Sequence, residues 1–353
     1  MSLILTTGGL GFIGSHTCLN LIDKGLDVLI VDSLINSSIK NLENIKSVLK
    51  LSNNSNLGKI YFSEGDLRDH QWLDSLFAKQ ISLKKPITSV IHFAGLKSVK
   101  ESVLEPLKYW DFNINTTLSL ISSMQKYQCN TLVFSSSATI YRPVESDKLF
   151  ENSYKDPINP YGNTKLAIEK ILKDLYMSDS KKWKIINLRY FNPVGAHNSG
   201  KIGEDSQGPV SNLFPILEKV VSGKLDKLSI YGKDWPTKDG TCVRDYIHIM
   251  DLAEAHFAAL NFLKSNSPQN VSVNIGTGKG VSVLEIVEAY SKYNKIRIPI
   301  QFVSRRLGDT PFLVADNNYA LNLLDWRPVK TLEDICVDSF RYIKNKLLLN
   351  KGF

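Results

Sequence analysis

The sequence predicts an α/β protein built on a doubly wound parallel sheet, with a smaller α/β unit following it. Three observations predict this. Short apolar runs recur through the first half between helix-compatible stretches, a glycine-rich turn follows the first run, and the pattern loosens into Gly- and Pro-containing loops past residue 190.

The runs are Leu3 to Thr6, Val28 to Asp32, Ile60 to Phe62, Val90 to Ala94, Leu132 to Ser135 and Ile185 to Leu188. Several are apolar on consecutive residues, as in strands buried on both faces of a parallel sheet. From Asn192-Pro193 to Trp235-Pro236 the chain reads as loops around a helix near Asn212 to Ser222, so a second unit is expected from about residue 190. Val271 to Ile275 then reads as a strand and Val283 to Tyr293 as a helix, which allows the chain to return to the first sheet.

The chain has 353 residues, 43% of them hydrophobic, enough for a large core. Its formal net charge of +8 raises the question of nucleic acid. The lysines are scattered, however, and the densest group, Lys181, Lys182 and Lys184, has no basic run around it. Solvated surface lysines, or attraction of a small anion, are the expected reading, with no nucleic-acid partner. Cys18, Cys129, Cys242 and Cys336 show no paired spacing, so neither a zinc site nor a disulfide framework is indicated and no metal is expected. With no leader pattern after Met1 and no apolar run of membrane length, a cytoplasmic location is expected, without a membrane partner.

Thr7-Gly8-Gly9-Leu10-Gly11-Phe12-Ile13-Gly14 follows the first strand and opens a helix, with G-x-G-x-x-G spacing at Gly9, Gly11 and Gly14. Glycines there permit a tight turn, close approach to a pyrophosphate and packing of helix on strand, while free N–H groups face the anion. Asp32, at the end of the second run, is placed to accept hydrogen bonds from an adenosine ribose and to repel a 2′-phosphate. The pair predicts a Rossmann-type domain holding NAD, not NADP. Asp66, in Gly65-Asp66-Leu67, could reach the adenine or simply shape a turn.

Tyr161 and Lys165 form Tyr-x-x-x-Lys just after Pro160, a plausible helix start. At i and i+4 they share a helix face. An ammonium about 5 Å from the phenol, at an effective dielectric of ~20, favours the phenolate by roughly 3 kcal/mol, about two pKa units, which makes the pair chemically sufficient as a base. Tyr342 and Lys346 repeat the spacing, but only Tyr161 lies downstream of a Ser/Thr cluster, Ser135-Ser136-Ser137-Ala138-Thr139, whose hydroxyls can hold a reacting oxygen. Tyr161, Lys165 and Ser137 are the predicted catalytic residues.

At these residues the chain resembles the extended short-chain dehydrogenase/reductases, and among them the UDP-glucose 4-epimerases. The matching motifs run from Thr7-Gly8-Gly9 through Phe93-Ala94-Gly95-Leu96-Lys97, Ser135 to Tyr141, Pro160-Tyr161-Gly162, Arg189 to His197, Gly203-Glu204-Asp205, Val243 to His248 and Arg305-Arg306-Leu307-Gly308-Asp309 to Leu324-Asp325-Trp326, nearly the whole chain. The resemblance implies an NAD-binding domain over 1–189, rejoined by a segment at about 243–280, and a UDP-sugar-binding domain over 190–353. It implies that Gly8, Gly11, Phe12, Ile13, Gly14, Asp32, Asn36, Ser37, Asp66, Leu67, Phe93, Ala94, Lys97, Asn113, Ser135, Tyr161, Lys165 and Tyr190 line the NAD. It implies that Ser137, Tyr161, Asn192, Asn212, Leu213, Tyr231, Arg244, Tyr246, Arg306 and Asp309 hold the substrate. Guanidinium groups bind phosphate oxygens through paired N–H donors, so Arg244 and Arg306 suit a pyrophosphate, although either could serve a structural salt bridge.

The implied reaction is interconversion of UDP-galactose and UDP-glucose by a homodimer, through a transient 4-keto sugar and NADH, with Tyr161 as general base. Related dehydratases carry an additional Asp-Glu pair where this chain has Ala138 and Thr139, which disfavours dehydration. A 4-epimerase or decarboxylase of a uronic or N-acetyl UDP-sugar, or a non-catalytic NAD sensor, are the alternatives. Two positions depart from the family pattern. Arg142 stands where glycine is usual, which puts a bulky charge near the strand-end loop, and Leu313 occupies the gatekeeper position for N-acetyl sugars with a residue of intermediate size.

Overall fold

The computed structural model describes residues 3–52, 54–144, 148–205, 212–306 and 308–350. Leu307 of the Arg305 to Asp309 motif, Asn53 and residues 206–211 lie outside them.

The chain begins with β1 (Leu3–Thr7), α1 (Phe12–Asp23), β2 (Asp27–Asp32), α2 (Lys40–Leu51), β3 (Ile60–Glu64), α3 (His70–Ser82) and β4 (Ile87–His92). Two short helices follow, α4 (Val99–Leu104) and α5 (Pro106–Trp110), then a π-helical turn at Asp111–Asn115, α6 (Thr116–Lys126), β5 (Thr131–Ser137) and a 3-10 turn at Ala138–Ile140. Next come α7 (Pro160–Ser178), β6 (Lys184–Tyr190), β7 (Asn192–Val194), α8 (Leu213–Val221), β8 (Leu228–Tyr231), β9 (Val243–Arg244), β10 (Tyr246–His248), α9 (Ile249–Ser265) and β11 (Gln269–Ile275). The chain closes with β12 (Val281–Ser282), α10 (Val283–Asn294), β13 (Ile300–Val303), β14 (Phe312–Leu313), α11 (Asn318–Leu324) and α12 (Leu332–Asn350).

Seven strands form one sheet in the order β11-β6-β5-β4-β1-β2-β3, with every pairing parallel. The predicted runs all lie in it. The fourth ends earlier than expected, at His92, which leaves Phe93 and Ala94 on the loop beyond the sheet. Strands such as Val28–Asp32 are buried on both faces because helices cover both. On one side, Ile4, Ile30 and Ile186 meet Leu19 and Ile22 of α1 and Leu252 and Ala259 of α9. On the other, Leu5, Val90 and Phe134 meet Leu73 and Phe77 of α3 and Ile168 and Leu172 of α7. Each such aliphatic side chain contributes about 1.5–3 kcal/mol on full burial.

The sheet changes direction of winding between β1 and β4, so the crevice of the fold opens at the C-terminal ends of those strands. A separate core lies beyond it, where Phe214, Leu217 and Tyr246 pack with Ile286, Val287, Tyr290, Ile335 and Ile343. Small sheets frame this unit: β10 with β7, β13 with β8, and β9 between β12 and β14. No helix among the described residues is long and apolar enough to cross a membrane.

Candidate active site

The glycine-rich turn sits at the crevice. Gly8 adopts φ +65°, and a Cβ there would lie 2.7 Å from the backbone nitrogen of Ala94, so the two loops meet main chain to main chain. A Cβ on Gly14 would fall 2.4 Å from the Gly8 carbonyl oxygen, so glycine lets α1 start directly on the turn. Helix α1 has neither a side-chain cap nor an acidic residue in its first turn, and its first internal bond runs from Ser15 to Gly11. The N–H groups of Phe12, Ile13 and Gly14 therefore have no intrahelical acceptor and suit an anion. These features fit the pyrophosphate of NAD.

Asp32 is buried at the end of β2. Its carboxylate accepts from the Leu10 amide at 2.9 Å, the Leu34 amide at 3.0 Å and the Ser37 hydroxyl at 2.7 Å. Three of its roughly four acceptor positions are occupied, which leaves one for a ribose hydroxyl. Arg68 grips Asp66 through Nε and Nη2 and holds its carboxyl below the usual carboxylate range.

Among the other predicted cofactor residues, Lys97 pairs with Glu204 at 2.9 Å, and Leu67 is buried in the sheet-face core. Asn113 braces the loop at Leu96 by bonding its amide and carbonyl, while Phe93 packs 4.9 Å from the His256 ring and Asn36 is exposed.

Helix α7 presents Tyr161 at its first turn. Asn159 caps the helix by accepting from the Gly162 amide at 2.8 Å, and Pro160 fixes the first helical φ. A Cβ on Gly162 would come within 2.6 Å of the Thr139 carbonyl oxygen, so glycine brings the helix start onto the loop after β5. The Ser137 hydroxyl, which accepts from Thr139, lies beside the Tyr161 phenol and draws its pKa down; burial has the larger effect and holds it up at about 12.

Lys165 is buried, with its pKa brought down to about 8 by desolvation. Its ammonium donates to the Ser135 carbonyl oxygen at 2.7 Å and stands 5.9 Å from the centroid of the Tyr161 ring. The ammonium thus lies on the same helix face as the phenol, but in the protein alone burial governs the phenol and makes it a weaker acid than a free tyrosine. Tyr190, in register with Ser137, bonds His256 through its hydroxyl at 2.5 Å.

The path to the second cluster runs through short strands. Two residues beyond Tyr190, Asn192 pairs in register with Tyr246, and its side-chain oxygen is buried without a partner. Two residues before Tyr246, Arg244 lies in register with Leu313 of β14. Arg306 grips Asp309 at 2.8 Å and lies 5.2 Å over the Tyr231 ring, while Arg244 approaches Asp309 at 3.8 Å and donates to the Thr310 carbonyl. Both predicted phosphate arginines therefore converge on one carboxylate. Tyr246 is buried against Phe214, Leu213 begins α8, and Asn212 stands exposed at that helix start.

Tyr342 and Lys346 are far from this chemistry in their contacts. Lys346 pairs with Asp205 and Glu218, and the Tyr342 ring packs on Gly203. Arg142 directs its charge away from the strand-end loop. Its side chain is exposed, lies 5.8 Å over Tyr154 and approaches Asp156, while its amide bonds the Tyr154 carbonyl. Two contributors escaped the sequence reading: Gly162, whose close approach becomes visible only once α7 meets Thr139, and His256, which meets Tyr190 from 66 residues away.

Comparison with known proteins agrees with this arrangement. A family model described as GDP-mannose 4,6 dehydratase matches residues 5–339. The chain is 46% identical over 340 residues to UDP-glucose 4-epimerase of Bacillus subtilis, with 96% of each chain covered. Among solved structures, it superposes with a TM-score of 0.92 and 40% identity on UDP-glucose-4-epimerase from Stenotrophomonas maltophila with bound NAD and formylated UDP-arabinopyranose, covering 99% of this chain and 100% of that one. A TM-score of 0.89 at 39% identity, with 100% of both chains covered, relates it to UDP-glucose 4-epimerase from Bifidobacterium longum in complex with NAD+ and UDP.

Proposed function

The chain belongs to the UDP-glucose 4-epimerase family of extended short-chain dehydrogenases/reductases, and we propose that it interconverts UDP-galactose and UDP-glucose through a 4-keto sugar, with Tyr161 as general base. It is an isomerase, and its cofactor is NAD. The observation that carries the mechanistic reading is the placement of the Tyr161 phenol beside the Ser137 hydroxyl, with Lys165 one turn further along α7.

In this reading, Tyr161 takes the proton of the sugar 4′-hydroxyl and returns it, while Ser137 holds the same oxygen. With a phenol pKa near 12, ionisation at neutral pH requires positive charge. The Lys165 ammonium already stands 5.9 Å from the centroid of the ring, so the further charge comes with the cofactor. NAD, when bound, supplies the acceptor and donor of hydride at carbon 4 and the positive charge of its nicotinamide.

Arg306 and Arg244, preset by Asp309, bind the diphosphate, and the unpartnered Asn192 oxygen receives a donor from the substrate or presents its amide after a flip. Holding the nucleotide by its phosphates while the hexose turns over exposes both faces of the keto carbon to one base. Ala138 is buried and Thr139 is bonded to Ser137, so neither supplies the acid that a dehydration needs.

The four buried thiols suit a reducing cytoplasm, and the apolar side chains of Val103, Leu104, Leu107 and Leu118, exposed on α4 to α6, suit burial by a second copy. The test is chromatography of nucleotide sugars after incubation with UDP-galactose and catalytic NAD. Formation of UDP-glucose without net NADH is expected; recovery of UDP-galactose alone would sink the substrate assignment.

A further inference from the structure

Three consecutive serines at the end of β5 each meet a residue of α7 spaced four apart from the next. The Ser137 hydroxyl lies beside Tyr161, the Ser135 carbonyl accepts from Lys165, and the Ser136 hydroxyl donates to Glu169 Oε1 at 2.6 Å. The spacing of 161, 165 and 169 places them on successive turns of one helix face. The first two contacts belong to the proton-handling pair; the third does not.

The carboxylate of Glu169 is buried and both of its oxygens are engaged. Arg189 Nε donates to Oε1 at 2.9 Å and Nη2 to Oε2 at 2.7 Å, a bidentate grip. Arg189 is the register partner of Ser136 across β5 and β6. Its remaining nitrogen, Nη1, donates to the Tyr141 hydroxyl and the Glu151 carbonyl, and Tyr141 in turn donates to Asn274 Oδ1 at 2.6 Å on β11. One helix and three strands are thus tied at a single buried ion pair one turn past Lys165. Burying such a pair costs several kcal/mol per ion in desolvation, so stability alone is a poor reason for placing it there.

We propose that Glu169, held by Arg189 and Ser136, is a positioning residue that sets the register of α7 along β5 and so fixes Tyr161 against Ser137 and Lys165 against Ser135. A helix sliding by even about 1 Å would misalign both contacts, and misplacement of that size costs up to about 100-fold in rate. This rests on the reading of Tyr161 as the base.

The experiment compares wild type, Tyr161→Phe, Ser136→Ala, Glu169→Gln and the Ser136→Ala/Glu169→Gln double variant in the NAD-loaded protein. Measured are kcat, KM for UDP-galactose, NAD content and the acid limb of the kcat profile. Expected is a fall in kcat of about tenfold for Ser136→Ala and more for Glu169→Gln, with KM and NAD content within about threefold. The double variant should be less than additive, and the acid limb should move up by about half a pH unit or more.

Ser136→Ala removes one hydroxyl, so it keeps the test open if Glu169→Gln fails to fold. Unchanged kcat and pH profile in Ser136→Ala, with only a lower melting temperature, would overturn the positioning role while the epimerase reading stands. An active Tyr161→Phe, or an inactive wild type, would overturn both.

Discussion

The ammonium of Lys165 is fixed on the carbonyl oxygen of Ser135, 2.7 Å away, and not on the phenol of Tyr161, whose ring centroid lies 5.9 Å off. The strand holds the charge in place, and its action on the phenol is through space in the proposed mechanism. Lys165→Met should therefore raise the phenol pKa by about two units and lower kcat about 100-fold at pH 7, with activity recovering as pH rises. A pH–rate profile at saturating NAD checks this, and a profile parallel to wild type would refute it.

Tyr161→Phe keeps the ring and removes the oxygen proposed to exchange the proton. Turnover should fall by about 100-fold to 10,000-fold, the range of general acid–base catalysis, with the fold and NAD content intact. A fully active variant would sink the mechanism.

Gly14→Ala would put a methyl group 2.4 Å from the Gly8 carbonyl oxygen and 2.8 Å from the Gly9 Cα, both backbone atoms that cannot swing aside. Overpacking of this kind costs about 1–3 kcal/mol. The purified variant should melt lower and carry less NAD, read by absorbance after denaturation. Full NAD content would show that the pyrophosphate does not sit on this turn.

Arg306→Lys replaces a planar fork with a single point charge. KM for UDP-galactose should rise by about tenfold or more while kcat and NAD content change little. Steady-state kinetics decide it; an unchanged KM would remove Arg306 from the diphosphate site.

His16 and His92, each pushed down to about 3, and His256, to about 4, are buried neutral side chains. Below about pH 6.5 the unfolded chain binds their protons and the folded one does not, so folding loses about 1.4 kcal/mol per pH unit for each until the folded values are reached. Glu151, Asp245 and Asp251, raised by burial, oppose this lower in the range. His92→Gln should therefore flatten the fall in unfolding free energy between pH 6 and 4 by about 1.4 kcal/mol per unit. Parallel denaturation curves for variant and wild type would contradict the assignment.

Much of the fold was legible because parallel strands buried on both faces are written as continuous apolar runs, and Gly8 to Gly14 announce the first turn in a few residues. The shared helix face of Tyr161 and Lys165 was legible because they lie about one turn apart on α7. Charge partnerships were not. Nothing near Asp66 in sequence says that Arg68 will close on it through both oxygens, nor that Arg244 and Arg306, 62 residues apart, will meet at Asp309. Nor does the identity of Arg142 say that its side chain will leave the loop for solvent.

β11 lies at the margin of the main sheet, paired only with β6, yet it comes from residues 269–275. During synthesis, β6 therefore emerges with one side unpaired and stays so while the ribosome adds about 80 more residues. That open edge, rich in Ile185, Ile186 and Leu188, is a template for pairing with another nascent chain. The birth of this protein thus passes through a window in which chaperone cover, or the speed of translation between residues 190 and 275, governs how much of it reaches the native state.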